Sequence, residues 1–409
     1  MTNKAVAPHL VWTRHRTGHW DRPNAAEWRH LEERPIRGEI VSLTGLRGVA
    51  ATWVFLGHCA MLMQWGIPLL EWPKLAVDLF ILLSGFVMAY QLHSGCEQPW
   101  LQFFKKRFFR LAPAYYVLLV IAIAIGPLLG EMREVFVTHL SANPVGQGRY
   151  DDQSLGNLLI HASFLFGLFP NYAQHTAMPD WSVSLEMQFY IAFPVIALMF
   201  RRFGWFAVTI ALSALSVCVM FLAGGWIASF PEPAFLPIKL NLFLAGSLLA
   251  LIPADGSAIP LYLARAVLVA AIPMDGEFDT NEIFSILGTG LIGSLACSFA
   301  GSWRLPPVTL AERILETRLL RWLGEISFSL YLVHLLLIVP IGSALLRFGI
   351  DHWHPVLRFA ALASASLPVV LGGAHLLYRY VELPGIRIGR GKAMQGVVQK
   401  LAGRWLPRG

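Results

Sequence analysis

The chain has 409 residues, of which 56% are hydrophobic and only 14% are charged, and its mean hydropathy is +0.56. A soluble core cannot hide that much apolar surface, so the composition excludes an ordinary soluble globular protein and indicates a polytopic membrane protein. The formal net charge of +7 then indicates membrane orientation, and no nucleic-acid partner is expected. The four cysteines are far apart in sequence, which argues against a disulfide framework or a zinc site.

The first 42 residues are polar and have no apolar core, so 1–42 is predicted to be a cytoplasmic tail rather than a signal peptide or a span. The remainder predicts an all-α polytopic membrane protein, with a membrane domain over 43–380 and a basic cytoplasmic tail over 381–409. Apolar runs bounded by charge, Gly or Pro predict a bundle of about ten transmembrane helices, over 43–65, 74–92, 111–130, 181–200, 205–223, 235–253, 258–273, 283–301, 326–348 and 356–379.

The distribution of Lys and Arg among the connecting segments predicts the orientation of this bundle. An even number of crossings puts both termini on one side, where the segments hold 23 basic residues, whereas those on the other side hold two, Arg133 and Arg149. Because cytoplasmic loops are enriched in Lys and Arg, both termini are expected in the cytoplasm and the loop 131–180 outside. An apolar piece of that loop, Leu158–Phe169, is expected to lie against the membrane.

The first predicted span contains two ionisable residues, Arg47 and His58, eleven positions apart. Eleven steps of 100° end about 20° past three full turns, so both side chains lie on one helix face, roughly 16 Å apart along the axis. Ionisable groups inside a span indicate a functional site; the alternative is that Arg47 extends to the interface and His58 makes an interhelical hydrogen bond. Gly45, Gly48 and Gly57 on the same helix would let a neighbouring backbone or a ligand approach closely.

Two carboxylates are expected at the depth of His58. His58, Asp78 and Glu186 each lie a few residues from the outer end of their predicted spans, in the outer third to half of the bilayer. An imidazole near a carboxylate is typical of a general base whose tautomer is fixed by a partner, so His58 is the candidate base and Glu186 or Asp78 the candidate partner. The alternative is that both carboxylates only mark helix N-termini, where negative charge is favourable.

A basic run precedes the third predicted span at the cytoplasmic face. Arg107 and Arg110 are three residues apart, so they share a helix face and can form a fork for a phosphate group. The competing explanation is an ordinary positive-inside cluster. Because Arg47 starts from the same face, a molecule anchored there by its phosphates could extend an arm along the first span toward His58.

Further polar and aromatic residues inside or beside the spans complete the candidate site. Ser84 is grouped with the arginines as a cofactor-binding residue, and the residues expected to bind the acceptor substrate are Trp181, Gln188, Tyr331 and His334. His334 lies in mid-span and is either structural or a second site residue. For a lone serine such as Ser84, the alternative is helix packing, the commoner role of small polar residues in membrane helices.

The sequence motifs that contain these residues resemble those of the membrane acyltransferase family 3. Members of that family modify cell-surface polysaccharides, lipopolysaccharide O-antigens, nodulation factors and some macrolides. The resemblance rests on Arg47 and His58 in LTGLRGVAATWVFLGH, and on VDLFILLSGFVM (77–88), RFFRLAPAYY (107–116), WSVSLEMQFY (181–190), GEISFSLYLVH (324–334) and VELP (381–384). The sequence departs from the family pattern at Thr44, where Asp is frequent, at Met187, where a second Glu often follows, and at Leu383, where Arg is usual. None of these departures affects Arg47 or His58.

The resemblance implies an integral membrane O-acyltransferase in the bacterial inner membrane. It would move an acyl group, usually acetyl, from cytoplasmic acyl-CoA to a hydroxyl of a surface polysaccharide, glycolipid or related glycan at the outer face, with no metal. Arg47, Arg107 and Arg110 would then bind acyl-CoA, and His58 would act on the acceptor hydroxyl. The alternatives are a transporter or flippase for a glycan or an anionic substrate, which often has internal repeats that this chain lacks, and an inactive scaffold for polysaccharide export.

Overall fold

The structure is a computed structural model, and it describes residues 13–14, 20–21, 40–67, 70, 72–93, 99–143, 146, 148–255, 259–270, 280–299 and 306–391. Most of the predicted N-terminal tail and the C-terminal tail beyond residue 391 therefore lie outside the described residues. The chain divides into two units, Met1–Ile40 and Val41–Gly409. In the first unit, strand β1 (Thr13–Arg14) pairs antiparallel with β2 (Trp20–Asp21), with Thr13 opposite Asp21.

The described part of the second unit is helical throughout its regular structure. Its α-helices are α1 Val41–Leu62, α2 Pro73–His93, α3 Trp100–Leu140, α4 Leu155–Ala162, α5 Trp181–Phe203, α6 Trp205–Leu222, α7 Gly224–Ile227, α8 Leu236–Leu249, α9 Ile252–Asp255, α10 Ile259–Ala270, α11 Thr280–Phe299, α12 Pro306–Leu315, α13 Arg318–Glu325, α14 Ser327–Leu345, α15 Pro355–Leu377 and α16 Leu383–Gly389. Two short 3-10 turns, Phe166–Leu168 and Pro170–Tyr172, precede α5. A π-turn, Leu346–Ile350, continues α14, and another, Tyr378–Glu382, joins α15 to α16.

Within the described residues, seven helical segments are long and apolar enough to cross a membrane: Val41–Leu62, Pro73–Leu92, Trp100–Leu140, Trp181–Phe203, Trp205–Leu222, Ser327–Ile350 and Pro355–Gly389. Each contains most or all of a span predicted from the sequence, so the multi-pass helical membrane architecture is confirmed. The three other predicted spans correspond to shorter apolar helices, Leu236–Leu249, Ile259–Val269 and Ile286–Ser298. The last segment runs on to Gly389, so the predicted domain boundary after residue 380 falls inside continuous helical structure.

Helix α1 packs against α12 and α13 at backbone contact distance. A Cβ atom added at Gly45 would lie 1.9 Å from the carbonyl oxygen of Leu315, and one added at Gly324 would lie 1.9 Å from that of Thr44. Only glycine permits this approach, because any side chain would overlap the facing backbone. The segment 302–325, expected only as a connection between spans, therefore provides two helices that hold the N-terminal half of α1.

Helix α3 is much longer than the predicted third span over 111–130. It has 41 residues, contains Pro113 and Pro127, and ends where Ser141 adopts a left-handed conformation. A helix of about 20 residues already crosses the hydrocarbon core, so α3 extends beyond it. The proline residues do not end the helix, although each removes one backbone donor.

The apolar piece Leu158–Phe169 forms part of α4 and the turns that follow it. One side of this segment is buried in the protein through Phe164 and Phe166, whereas Leu159, Leu165 and Phe169 are exposed. Ser184 of α5 anchors the segment, because its hydroxyl donates to the carbonyl of Phe164 at 2.6 Å. The segment thus has an exposed apolar side, and its contact with the membrane stays a prediction.

Candidate active site

His58 of α1 lies directly against His334 of α14. The Nδ1 atom of His58 is 3.2 Å from Nε2 of His334, and the ring centroids are 4.9 Å apart. His334 is fully buried, whereas His58 is partly exposed. The predicted candidate base therefore has a histidine as its ring partner.

Backbone carbonyls fix the tautomers of this pair. Nδ1 of His58 is 2.9 Å from the carbonyl oxygen of Val54, and Nδ1 of His334 is 2.7 Å from that of Tyr331. A carbonyl oxygen only accepts, so in the neutral pair each Nδ1 carries the proton and Nε2 of His334 accepts from His58. Nε2 of His58 then has a free lone pair and no protein partner among the described residues. A neutral imidazole with that nitrogen open is suited to accept a proton.

A cavity of about 470 Å³ lies at the C-terminal end of α1, and His58 lines it. Two residues expected to bind the acceptor, Trp181 and Tyr331, line the same cavity. The hydroxyl of Tyr331 donates to the carbonyl of Pro179 and accepts from Ser182 at 2.9 Å, so these bonds fix its ring in the cavity wall. The cavity is therefore the place where a substrate group can meet His58.

Gln188, also expected to bind the acceptor, connects α5 to the start of α8. Its amide nitrogen donates to the carbonyl of Ala234 at 2.8 Å, and its amide oxygen accepts from the backbone N–H of Leu236 at 2.9 Å. Gln188 does not line the cavity with Trp181. Because both ends of its amide group bond to backbone groups, Gln188 has a structural role in connecting α5 to the start of α8.

Asp78, one of the two candidate partners of His58, forms a buried ion pair with Lys239 of α8. The Lys239 ammonium lies 2.8 Å and 2.9 Å from the two carboxylate oxygens, and only 3% of the Asp78 side chain is exposed. The pair joins α2 to α8, and glycines bring the two helices into backbone contact: a Cβ atom at Gly85 would lie 2.1 Å from the carbonyl oxygen of Phe243. A buried carboxylate held by an ammonium is well placed to fix the relative position of two helices.

Glu186, the other candidate partner, accepts hydrogen bonds from two hydroxyl groups. Ser84 donates to it at 3.0 Å, and Tyr190 donates to the same oxygen. The carboxylate also lies within electrostatic range of Arg47. The structure thus groups Glu186 and Ser84 with the basic residues rather than with the histidine pair.

Three basic residues, Arg47, Arg107 and Arg110, form a group that we call the arginine cluster. Arg110 lies within electrostatic range of Arg47, and the guanidinium of Arg107 stacks 5.4 Å from the ring of Tyr190. Arg107 also donates to the side chain of Gln91 at 2.8 Å. All three arginines are partly exposed, so they remain accessible to a ligand.

Glu382 is a further acidic member of this region. Its carboxylate is buried, accepts from the Ser329 hydroxyl at 2.6 Å, and lies within electrostatic range of Arg47 and Arg110. With Glu186 it supplies negative charge beside the arginine cluster. In the sequence, Glu382 stands out only as the one charged residue of VELP (381–384).

A second buried network lies beside the cavity, around Asp180. The Asp180 carboxylate accepts from the Tyr115 hydroxyl at 3.1 Å and lies 4.0 Å from Nε2 of His161. Burial raises the pKa of Asp180 above its ordinary value, and burial lowers the pKa of His161 below its own. The proximity of each group to the other opposes both shifts but does not cancel them.

Some residues of the site were not singled out from the sequence. Lys239 lies inside an apolar span, where an ionisable residue is a signal in itself. Arg133 and Arg149 line the cavity, although the sequence analysis counted them only as basic residues outside the membrane. His334, by contrast, was predicted as an acceptor-binding residue with a structural role as the alternative, and its contact with His58 joins two segments that are 276 residues apart.

Comparison with known proteins agrees with this architecture. A model of acyltransferase family 3, described as an acyltransferase domain, matches residues 40–375. This range contains the histidine pair, the arginine cluster and the residues that line the cavity. No solved structure matches the chain.

Curated relatives align with most of the chain. The chain is 28% identical over 380 residues to acyltransferase MdmB of Streptomyces mycarofaciens, and this alignment covers 85% of the chain and 92% of MdmB. It is 28% identical over 385 residues to BcsY of Komagataeibacter xylinus, named as a membrane-bound transacylase, which covers 89% of this chain and 88% of BcsY. It is 23% identical over 390 residues to the peptidoglycan O-acetyltransferase OatA of Listeria monocytogenes, which covers 85% of this chain and 56% of OatA.

The matched family, the apolar helices and the contact between His58 of α1 and His334 of α14 lead to one assignment. The family model covers more than half of the chain, and relatives named as acyltransferases align over most of it. The chain therefore belongs to acyltransferase family 3, and it is a multi-pass membrane acyltransferase related to O-acetyltransferases.

Proposed function

We propose that this protein is an O-acyltransferase of the bacterial inner membrane. It takes an acetyl group from cytoplasmic acyl-CoA and transfers it to a hydroxyl of a glycan or glycolipid at the outer face. One observation carries the proposal: His58 lines the cavity, while the same helix carries Arg47 into the arginine cluster. A single helix thus connects a site suited to phosphate with a site suited to a hydroxyl. Membership of an acyltransferase family favours this enzyme over the transporter alternative.

The arginine cluster is proposed to bind the phosphate groups of acyl-CoA. Guanidinium groups form forked, charge-assisted hydrogen bonds with phosphate oxygens, and Arg107 and Arg110 are three residues apart on one helix. Ser84 and Glu186 support the cluster from α2 and α5. From there the pantetheine arm has to extend roughly 16 Å along α1 to bring the thioester to His58.

His58 is proposed to act as the general base. Its Nε2 accepts the proton of the acceptor hydroxyl while the hydroxyl oxygen attacks the thioester carbonyl carbon. The carbon–sulfur bond then breaks, and the CoA sulfur leaves and takes the proton from the His58 imidazolium. The products are an ester and CoA–SH, and the histidine returns to its starting state. His334 is a positioning residue, since its Nε2 holds the Nδ1–H of His58.

The basic residues support the orientation in this proposal. The arginine cluster lies toward the start of α1 and the cavity lies at its end, so the positive-inside rule assigns the cluster to the cytoplasm and the cavity to the outer face. The relative OatA is named as a peptidoglycan O-acetyltransferase, which supports a glycan acceptor.

The test is transfer of labelled acetyl groups from acetyl-CoA by the purified full-length protein in proteoliposomes. We expect wild-type protein to consume acetyl-CoA, and Arg107→Gln with Arg110→Gln to raise the KM for acetyl-CoA by roughly 10- to 100-fold through lost charge-assisted hydrogen bonds. Lysine at both positions should rescue the donor affinity only in part, because lysine lacks the fork. Arg202→Gln is the matched control, because Arg202 is an exposed arginine at the end of α5.

Two results would contradict this proposal. If wild-type protein neither hydrolyses acetyl-CoA nor transfers its acetyl group, the proposed acyltransferase activity is excluded. A folded Arg107→Gln/Arg110→Gln protein with wild-type affinity for CoA would remove the donor site and return these arginines to a role in orientation.

A further inference from the structure

Two arginines in the cavity have no acidic partner at ion-pair distance among the residues that the structure describes. Arg133, on α3, and Arg149 both line the cavity that His58 lines. Nη1 of Arg133 and Nε of Arg149 are buried, and neither has a hydrogen-bond partner among the described residues. The two side chains lie within electrostatic range of each other. Buried donors on like charges are unfavourable unless an anion compensates them.

The acidic side chains near the cavity are already engaged by other groups. Each has a partner in the described structure: Glu232 pairs with Lys74 at 3.1 Å, Asp180 accepts from Tyr115 at 3.1 Å, Asp151 accepts from the Gly148 N–H at 2.9 Å, and Asp152 faces His175 at 3.4 Å. Glu134, which follows Arg133, is exposed to solvent; it lies within electrostatic range of the Arg133 guanidinium but forms no ion pair with it in the described structure. Within the part of the chain that is described, no carboxylate lies at ion-pair distance from either guanidinium. Among the described residues, the two guanidinium groups in the cavity therefore lack an ion-pair partner, and exposed Glu134 offsets the charge of Arg133 only in part.

The turn that carries Arg149 is anchored to α3. A Cβ atom at Gly126 would lie 2.4 Å from the carbonyl oxygen of Tyr150, so only glycine lets the turn pack this closely on the helix. The Gln153 side chain donates to the carbonyl of Ile123 at 3.0 Å, and Gly148 enters the turn at φ +84°. These contacts with α3 hold Arg149 in place. Arg149 therefore lies close to Arg133, which is part of that helix.

We propose that Arg133 and Arg149 form an anion subsite, so that the acceptor is an acidic glycan whose carboxylate or phosphate group binds beside the hydroxyl that is acylated. Arg149 also lies within electrostatic range of the His58 imidazole, so an anion held there places a neighbouring hydroxyl close to the base. Two guanidinium groups match the paired oxygens of either anion. This inference rests on the proposed function and names the class of its acceptor.

The experiment measures binding separately from transfer. Full-length protein in detergent is titrated with glucose-terminated, glucuronate-terminated and glucose-6-phosphate-terminated oligosaccharides of equal length. Wild-type protein should bind one of the two acidic probes at least tenfold more tightly than the neutral probe. Arg133→Gln and Arg149→Gln should each weaken that binding by roughly 10- to 100-fold and leave affinity for the neutral probe unchanged. Arg347→Gln is the matched control, because Arg347 is exposed beyond α14 and does not line the cavity.

The outcomes separate the two proposals. Preference for the glucuronate probe assigns a carboxylate, and preference for the phosphate probe assigns a phosphate; either preference must be lost in both cavity variants and kept in Arg347→Gln. Equal affinity for all three probes, or binding of none, overturns the anion subsite. Preferential binding of an acidic probe without any consumption of acetyl-CoA leaves the subsite standing and removes the acyltransferase. Acetyl transfer to a neutral glycan without preference for an anion overturns the anion subsite and supports the acyltransferase.

Discussion

His58 is the residue at which a catalytic role and a structural role predict different results. If its free Nε2 is the general base, His58→Gln should lower turnover by roughly two to four orders of magnitude, because an amide cannot accept the proton at neutral pH. The measurement is labelled acetyl transfer, with CoA affinity and expression determined on the same samples. The matched control is His352→Gln, since His352 is exposed. A His58→Gln protein that transfers acetyl at the wild-type rate would contradict the mechanism.

His334 should behave as a positioning residue. We expect His334→Phe to lower kcat by about tenfold through the lost hydrogen bond to His58, with little change in the KM for acetyl-CoA. His334→Gln keeps an acceptor oxygen and should recover part of kcat. The two variants are compared by steady-state kinetics and by the pH profile of kcat. Equal kcat for the two variants would indicate that His334 only fills space.

At the level of single residues, the sequence predicted Arg47, His58 and the arginine fork because helix geometry alone relates them. The sequence did not determine which side chains these residues contact. Asp78 was a candidate partner of His58, but its ion pair with Lys239 depends on how α2 packs on α8, which spacing along one helix does not determine. The contact between His58 and His334 also depends on tertiary packing.

At the level of helices, the contact of α1 with α13 predicts a specific sensitivity to substitution. In Gly324→Ala the new Cβ would meet the backbone of Thr44, which cannot rotate away, so we expect a loss of about 1–3 kcal/mol in stability. Gly372→Ala in α15 is the control, because nothing lies within 4 Å of a Cβ there. Thermal unfolding in detergent measures both variants. Equal stability of the two proteins would show that α1 and α13 separate at no cost.

Helix α4 predicts a pH effect on stability. Burial holds the pKa of His161 below its ordinary value, so the unfolded chain takes up this proton first as the pH falls below about 6.5. This contribution to stability is therefore lost on acidification. The raised pKa of Asp180 acts in the opposite direction, because its protonation favours the folded state as the pH falls. The contribution of His161 has to be isolated by a variant.

His161→Asn keeps a donor in place of Nδ1, which lies 3.0 Å from the carbonyl of Asn157. We expect the stability of wild-type protein to fall more steeply between pH 7 and 5 than that of His161→Asn, as measured by thermal unfolding across this range. Parallel curves for the two proteins would show that His161 protonates equally in the folded and unfolded states.

The predicted helices were more reliable than their ends and their connections. Hydropathy located the long spans because lipid-facing helices must be apolar along about 20 residues. It truncated α3 at both ends, since the helix continues where the residues become polar, and it missed α12 and α13, which are amphipathic and short. Gly45 and Gly48 were predicted to permit close packing, but the sequence did not identify the helices that use them.

At the scale of the whole molecule, orientation is the prediction with the widest consequences. If the positive-inside rule holds, a cysteine introduced at Tyr150 should react with a membrane-impermeant maleimide from outside intact cells, and one introduced at Arg202 should not. Both positions can be compared with the same cells after permeabilisation. Labelling of Arg202→Cys alone would invert the assignment of donor and acceptor sides.

The length of α3 links the two proposed binding regions in one covalent element. Arg107 and Arg110 lie near its start and Arg133 near its end, and the 26 residue steps from Arg107 to Arg133 correspond to roughly 39 Å of helix. Because the rise and rotation per residue are fixed, this helix acts as a ruler with a defined phase. Insertion of a single residue between Pro113 and Pro127 would turn one end by about 100° relative to the other, whereas a change of about one full turn would nearly restore the phase. Helical register, as much as side-chain identity, thus constrains how the proposed donor and acceptor sites can diverge.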